Sequence, residues 1–330
     1  MQSTKWPVAS LLLLSPLVGE YLLGSLPASM IALLPLMMAM YGAGAILIRE
    51  AVRTAGGGWA SIVLLATAYG LFEEGFVTQS LFNPNYLHLR LLDFGFVPAL
   101  GTALPWAIFV IAIHVVWSIT VPIALIESAF PSRRDQPWLR TPGRTLYGLA
   151  FATGCALVAA FSYQQVPFLA SPLQFAVTGA LILALCVAAF KLPKPRAAMA
   201  ATAPHGAILF LASFLAGSAF MLAERRAESE WHLDWRIVVA LALGIAALFV
   251  AFIVARTRQG QWDEPRRFAL AAGAFMVYAW IGFQTDLALH GESDLAGHSM
   301  LAALLLVVLV LIGVRANRRS NTMSSHGHSR

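Results

Sequence analysis

The chain is 330 residues long, 59% hydrophobic and 12% charged, with a mean hydropathy of +0.73. Soluble proteins carry about 25% charged residues, so half the usual charge excludes an ordinary soluble domain and points to a lipid solvent. The net charge of +6 lies between apolar segments, which is the pattern of membrane topology and argues against a nucleic-acid partner.

A bilayer span needs about 20 mostly apolar residues. Ten segments approach that length in chain order: 7–24, 28–48, 59–81, 104–127, 146–164, 172–190, 206–223, 236–255, 268–286 and 299–315. The first follows a lone Lys5 and carries Pro16 and Glu20, which makes it the least regular span. No small-residue cleavage site follows it, so it reads as an uncleaved first helix. Cys155 and Cys186 each fall in an apolar segment and read as buried thiols without a disulfide or metal framework. These features predict an all-α polytopic integral membrane protein of about ten transmembrane helices. Residues 1–316 form one domain, and 317–330 form a disordered cytoplasmic tail whose His326 and His328 are solvated. No internal repeat marks an inverted-repeat transporter.

Loop charge sets an orientation. With the N-terminus in the cytoplasm, 18 of the 22 lysines and arginines fall on the inner side, leaving Arg90, Arg225, Arg226 and Arg236 outside. The positive-inside rule then places both termini in the cytoplasm, with the chain in the cell (plasma) membrane. Glu50 and Glu127, at inner helix ends beside basic loops, read as surface groups. Gln284 and Asp286 read as helix-end polarity. His88 reads as a solvated loop residue, and His205, His290 and His298 lie at helix edges or in loops.

Two glutamates resist so simple a reading. Glu73 and Glu74 lie inside the apolar run from Trp59 to Phe82, and burying one carboxylate in a bilayer costs about 2.5–3.5 kcal/mol on insertion scales. At a rise of about 1.5 Å per residue, the pair sits about 11 Å below the outer end of helix three, and His114 lies about 15 Å below the same surface on helix four. Glu20 falls in the last turns of helix one. Three carboxylates and one imidazole thus share the outer third of the membrane. On helix three, Tyr69, Glu73 and Ser80 share one face, while Gly70, Glu74, Thr78 and Phe82 approximate another. Ser118 follows His114 at i, i+4 and faces the same way. Pro122 removes the N–H that would bond the Ser118 carbonyl, freeing an acceptor and kinking the helix. The long apolar loop between helices three and four reads as a re-entrant or surface-lying cover for this cluster.

The pattern YGLFEEGFVTQSLF followed by AIFVIAIHVVWS resembles the CPBP group of glutamate-dependent intramembrane proteases. That group places a Glu-Glu pair on one membrane helix and a histidine on a following one. The resemblance covers helices three and four only. It implies that Glu73 or Glu74 activates a water with His114 assisting. Thr78 stands where the group has an arginine, Phe109 precedes His114 by five residues instead of four, and the group's second histidine motif has no counterpart on a later helix.

Three functions follow. An intramembrane hydrolase, protease-like, would use Glu73, Glu74 and His114 as catalytic groups, with Glu20 and Ser118 supporting, on a membrane-embedded or periplasmic-side substrate. A proton- or cation-coupled transporter would use the same groups as a relay. A non-catalytic membrane assembly protein would use them as interhelical glue. The hydrolase is favoured because the groups fall on consecutive antiparallel helices at similar depth. A divalent metal and a metal-free mechanism both remain open, although one histidine with two or three carboxylates is an unusual zinc set.

Overall fold

Long apolar segments punctuated by proline and glycine leave the backbone one economical solution in lipid, which is the helix that satisfies its own N–H and C=O groups. The protein, represented by a computed structural model, is described over residues 5–194, 204–226, 230–258 and 262–327. Ten helices are present among these residues. α1 runs Lys5–Pro16 and continues as a π-helical turn, Leu17–Leu22. α2 spans Ala28–Thr54, α3 Trp59–Val77, α4 Leu104–Ala129, α5 Thr141–Gln165 and α6 Pro172–Lys191. α7 is Gly206–Arg226, α8 Trp235–Arg258, α9 Glu264–His290 and α10 Leu295–Gly327.

Helix starts follow local chemistry. Proline occupies the first turns of α4, α5, α6 and α9, where its missing N–H needs no partner. Ser171 opens α6 through a capping box: its hydroxyl accepts from the Gln174 N–H at 3.2 Å, and the Gln174 amide oxygen accepts from the Ser171 N–H at 2.8 Å.

Among the described residues, eight helical stretches are long and apolar enough to cross a membrane, and the last of them, Glu264–Asn317, takes in α9 and α10 as far as Asn317. α1 is not among the eight. Lys5 and Glu20 dilute its apolar run, and protein encloses it instead: Leu11, Val18, Tyr21 and Leu22 are fully buried. By contrast α5, α6 and α8 present exposed leucines such as Leu149, Leu183 and Leu248, as expected of helices that meet lipid on most of their surface. α10 continues to Gly327, so the boundary expected at 317 falls inside a helix. Backbone hydrogen bonding propagates past the end of the apolar face.

Two expectations about charge are corrected. Glu50 and Glu127 are not surface groups; they are 1% and 2% exposed, beside an Arg49 that is wholly buried. The segment after α4 folds over these helix ends, so the Arg133, Arg134 and Gln136 carbonyls accept hydrogen bonds from Arg49. Asp286 is likewise buried in protein, as is His298, because α10 packs back along α9. The two cysteines are free, Cys155 buried and Cys186 half-buried.

Four helices depart from α geometry near one another. π-helical turns occupy Leu17–Leu22 in α1, Met38–Gly42 in α2, Glu73–Val77 in α3 and His114–Thr120 in α4. Such turns are rare and concentrate at functional sites. In α4 the turn precedes Pro122, and the Ser118 carbonyl freed by that proline accepts a 2.6 Å hydrogen bond from the Ser15 hydroxyl of α1.

Candidate functional site

Each of the four π-helical turns delivers polar side chains to one place. They carry Glu20, Tyr41, the pair Glu73 and Glu74, and the pair His114 and Ser118. His114 Nε2 lies 2.7 Å from Glu74 Oε1, and His114 Nδ1 lies 3.4 Å from Glu73 Oε2. One imidazole thus bridges both glutamates. Ser118 Oγ stands 3.4 Å from His114 Nδ1. Tyr41, Glu73, Glu74, His114 and Ser118 are each at least nine-tenths buried.

The two glutamates have different surroundings. Glu74 is saturated: Thr78 Oγ1 donates to its Oε2 at 2.8 Å, the Ser80 hydroxyl donates to the same oxygen, and Oε1 meets His114. Trp106 Nε1 donates to Ser80 Oγ at 3.2 Å and fixes that hydroxyl. Glu73 receives the Tyr41 hydroxyl on Oε1. Its Oε2 has the His114 Nδ1 contact at 3.4 Å and the Tyr69 hydroxyl as a neighbour, and neither that oxygen nor that hydroxyl completes a well-formed hydrogen bond among the described residues. The Tyr41 ring stacks on His114 at 5.9 Å and Tyr69 meets it edge-on at 6.2 Å, so the imidazole is held between two phenols. Gly70 makes this closeness possible, because a Cβ there would stand 3.2 Å from His114 Cβ.

Ser80 bonds Glu74, whereas an ideal helix would place it on the Glu73 face. The cause is local: helix geometry ends at Val77, a π turn precedes it, and the chain folds back so that the Leu81 N–H donates to the Glu74 carbonyl at 3.2 Å. The pair therefore lies about 6 Å from the helix end, nearer than its expected depth, with protein above it. Gln79 makes the turn at φ 56° and Asn83 is buried within it. The covering segment continues through a short helical turn at Tyr86–His88 and a hairpin of β1 (Phe96–Val97) and β2 (Thr102–Ala103). Burial, and then the Glu74 charge, hold the Tyr86 phenol above its ordinary pKa. His88 is exposed, as expected. A polar cavity of about 10 Å³ lies against this turn, lined by Thr78, Gln79, Asn83 and Ser162, which is room for about one water.

Glu20 sits at one remove. It is half-buried, its Oε2 accepts from Ser25 Oγ at 2.6 Å, and it lies within electrostatic range of Tyr41, Glu73 and His114 without bonding the two glutamates or the imidazole.

Residues 10–319 match a family described as an uncharacterised membrane protein family. The chain belongs to that family. No curated protein and no solved structure matches it. Chemical inference for this member therefore rests on its own side chains.

Glu73, Glu74 and His114 each offer a ligand atom within 4.8 Å of the others, all three buried. Two carboxylates with one imidazole suit manganese or iron better than zinc, and a metal there would take the place of the His114–Glu74 hydrogen bond. Sequence reasoning placed Tyr69 on the Glu73 face but gave neither it nor Tyr41 a chemical part. The only available signal for Tyr41 was a phenol deep within an apolar helix, which is weak because buried tyrosines are common.

Proposed function

We propose that this protein is an intramembrane hydrolase in which Glu73 is the general base. The observation that carries the reading is the contrast within the pair: Glu74 is spent on holding His114, while Glu73 Oε2 is a buried carboxylate oxygen with no hydrogen bond. A water beside that oxygen surrenders a proton to Glu73 as its oxygen attacks a carbonyl carbon. The Tyr69 hydroxyl, which lies beside Glu73, is the donor for the developing oxyanion. The same proton then passes from Glu73 to the leaving group as the acyl bond breaks. His114, fixed between Glu74 and two phenols, orients Glu73 and takes up charge. Ser118 contacts the ring, and Glu20 flanks the cluster. The resemblance to glutamate-dependent intramembrane proteases supports the same assignment.

The positive-inside bias supports cytoplasmic termini in the plasma membrane and a site in the outer half of the bilayer. The substrate is then a membrane-embedded or outer-side acyl compound. If a divalent metal occupies Glu73, Glu74 and His114, it supplies Lewis-acid polarisation, while Tyr69 and Tyr41 keep the same places around it.

The test uses membranes from cells producing the protein, incubated in heavy-oxygen water and examined for labelled carboxyl products. Label that appears with the unaltered protein and disappears with Glu73→Gln supports hydrolysis. Label that is the same with Glu73→Gln removes Glu73 as base. Absence of label, together with pH-driven uptake into proteoliposomes that Glu73→Gln abolishes, establishes transport instead.

A further inference from the structure

A second group of buried ionisable side chains lies between α1, α9 and α10. Asp286 is fully buried and His298 is 1% exposed. Both carboxylate oxygens and both ring nitrogens complete no hydrogen bond among the described residues. Four buried, unsatisfied heteroatoms on two residues exceed what a packed helix interface tolerates, since each carries a desolvation cost without return.

The surroundings show what closes on these two residues. Gly282 and Asp286 are i, i+4 on α9 and share a face. A Cβ at Gly282 would stand 3.1 Å from His298 Nε2 and would collide with the Leu22 carbonyl oxygen. A Cβ at Gly24, where φ is +76°, would stand 2.8 Å from Asp286 Cβ. Glycine at both positions brings the exit turn of α1 up to the carboxylate and the imidazole. Phe283 meets the His298 ring edge-on at 4.7 Å and fixes its plane.

Neighbouring polar groups are committed elsewhere. Asp294 accepts from the Ala28 N–H at 2.5 Å and the Ser29 N–H at 2.9 Å. His290 Nε2 lies 3.2 Å from the Ser25 carbonyl. Thr285 Oγ1 accepts from Arg225 at 2.6 Å. Asp286 and His298 thus offer one carboxylate, one imidazole and the nearby Leu22 carbonyl, and among the described residues no cationic side chain is bonded to the carboxylate.

We infer that Asp286 and His298 form a second cation site, taking one divalent transition-metal ion through carboxylate oxygen and imidazole nitrogen. Alkali ions avoid imidazole, whereas zinc, cobalt and manganese accept this mixed set with carbonyl or water oxygens completing the shell. The site spans the exit of α1 and the α9–α10 pair, so the ion would fasten the helix bearing Glu20 to the last two helices. It is separate from the Glu73–His114 cluster and does not depend on the hydrolase reading.

Cobalt(II) is the probe, titrated into the full-length protein in detergent after chelation. One equivalent of cobalt that persists in Glu74→Gln and is lost in Asp286→Asn and in His298→Gln is the expected result. An equivalent unaffected by Asp286→Asn, or no cobalt retained by Glu74→Gln, overturns the proposal. Should the two variants fail to fold, X-ray absorption of cobalt bound to the His114→Gln protein decides: one imidazole with oxygen neighbours is expected, and an all-oxygen shell overturns the site.

Discussion

α2 reaches two clusters of buried charge, and they are built on opposite terms. Toward its C-terminal end, Arg49 donates to Glu127 at 3.0 Å, to Glu50 at 2.9 Å and to three backbone carbonyls, while its guanidinium stacks 3.4 Å above the Trp138 ring. Arg53 donates to both Glu127 oxygens at 2.9 and 2.6 Å. Glu50 accepts from the Trp138 and Leu139 N–H groups at 2.7 and 2.9 Å. Two arginines face two glutamates, and every carboxylate oxygen has a donor. Toward the middle of α2, Tyr41 joins two glutamates and one imidazole, and that group keeps an oxygen and a phenol unsatisfied. It reaches neutrality only with two exchangeable protons or a divalent cation. A saturated, balanced network fastens helices; an unsaturated, unbalanced one has capacity left for a ligand or a proton.

The sharpest way to break that comparison is to exchange the two kinds of loss. If Glu73 is the base of a hydrolase, Glu73→Gln should lower hydrolysis by about 10²–10⁴-fold, with an unfolding temperature in detergent close to that of the parent. Equal losses of activity and stability would show that Glu73 is only structural.

Arg49→Met should do the reverse. It strands Glu50 and part of Glu127 in a water-poor interior, a defect worth about 3–5 kcal/mol when one partner of a buried pair is removed. Folded yield should collapse while activity per folded molecule is retained. A stable Arg49→Met protein would mean that water reaches this end of the bundle.

Ser15→Ala probes the joint between the two regimes. The Ser15 hydroxyl satisfies the Ser118 carbonyl released by Pro122, and an unsatisfied buried acceptor costs about 1–3 kcal/mol. Thermal unfolding measures that cost directly. Because Ser118 is one helical turn from His114, activity should fall as well, but by less than with Glu73→Gln.

How much of this was legible follows from what each residue's neighbours are. The helices were, because bilayer thickness forces a length and an apolarity that read directly from the chain; only the enclosed α1 and the extension of α10 departed from that reading. The meeting of Glu73, Glu74 and His114 was legible as well, since consecutive antiparallel spans measured from the same membrane surface fix relative depth. The phase of Ser80 was not, because a π turn shifts every later side chain and nothing local in GFVTQS announces one. Glu50, Glu127 and Asp286 were misjudged for a common reason: burial at a helix end depends on what folds over it, and that is a tertiary fact.

The smallest expected effect tests the site most selectively. Gly70 lies one turn before Glu74, and an alanine there would bring its Cβ to 3.2 Å from His114 Cβ and 3.4 Å from Ile111 Cδ1. Replacing a helical glycine by alanine contributes about 1 kcal/mol through backbone entropy, and the crowding of His114 costs a similar amount. Stability should therefore stay within about 1 kcal/mol of the parent. His114 must nevertheless move by a few tenths of an ångström, and the 3.4 Å contact between its Nδ1 and Glu73 Oε2 moves with it. If that contact aligns the base, Gly70→Ala loses activity several-fold at unchanged stability; if His114 merely ties α3 to α4, the two measurements shift together.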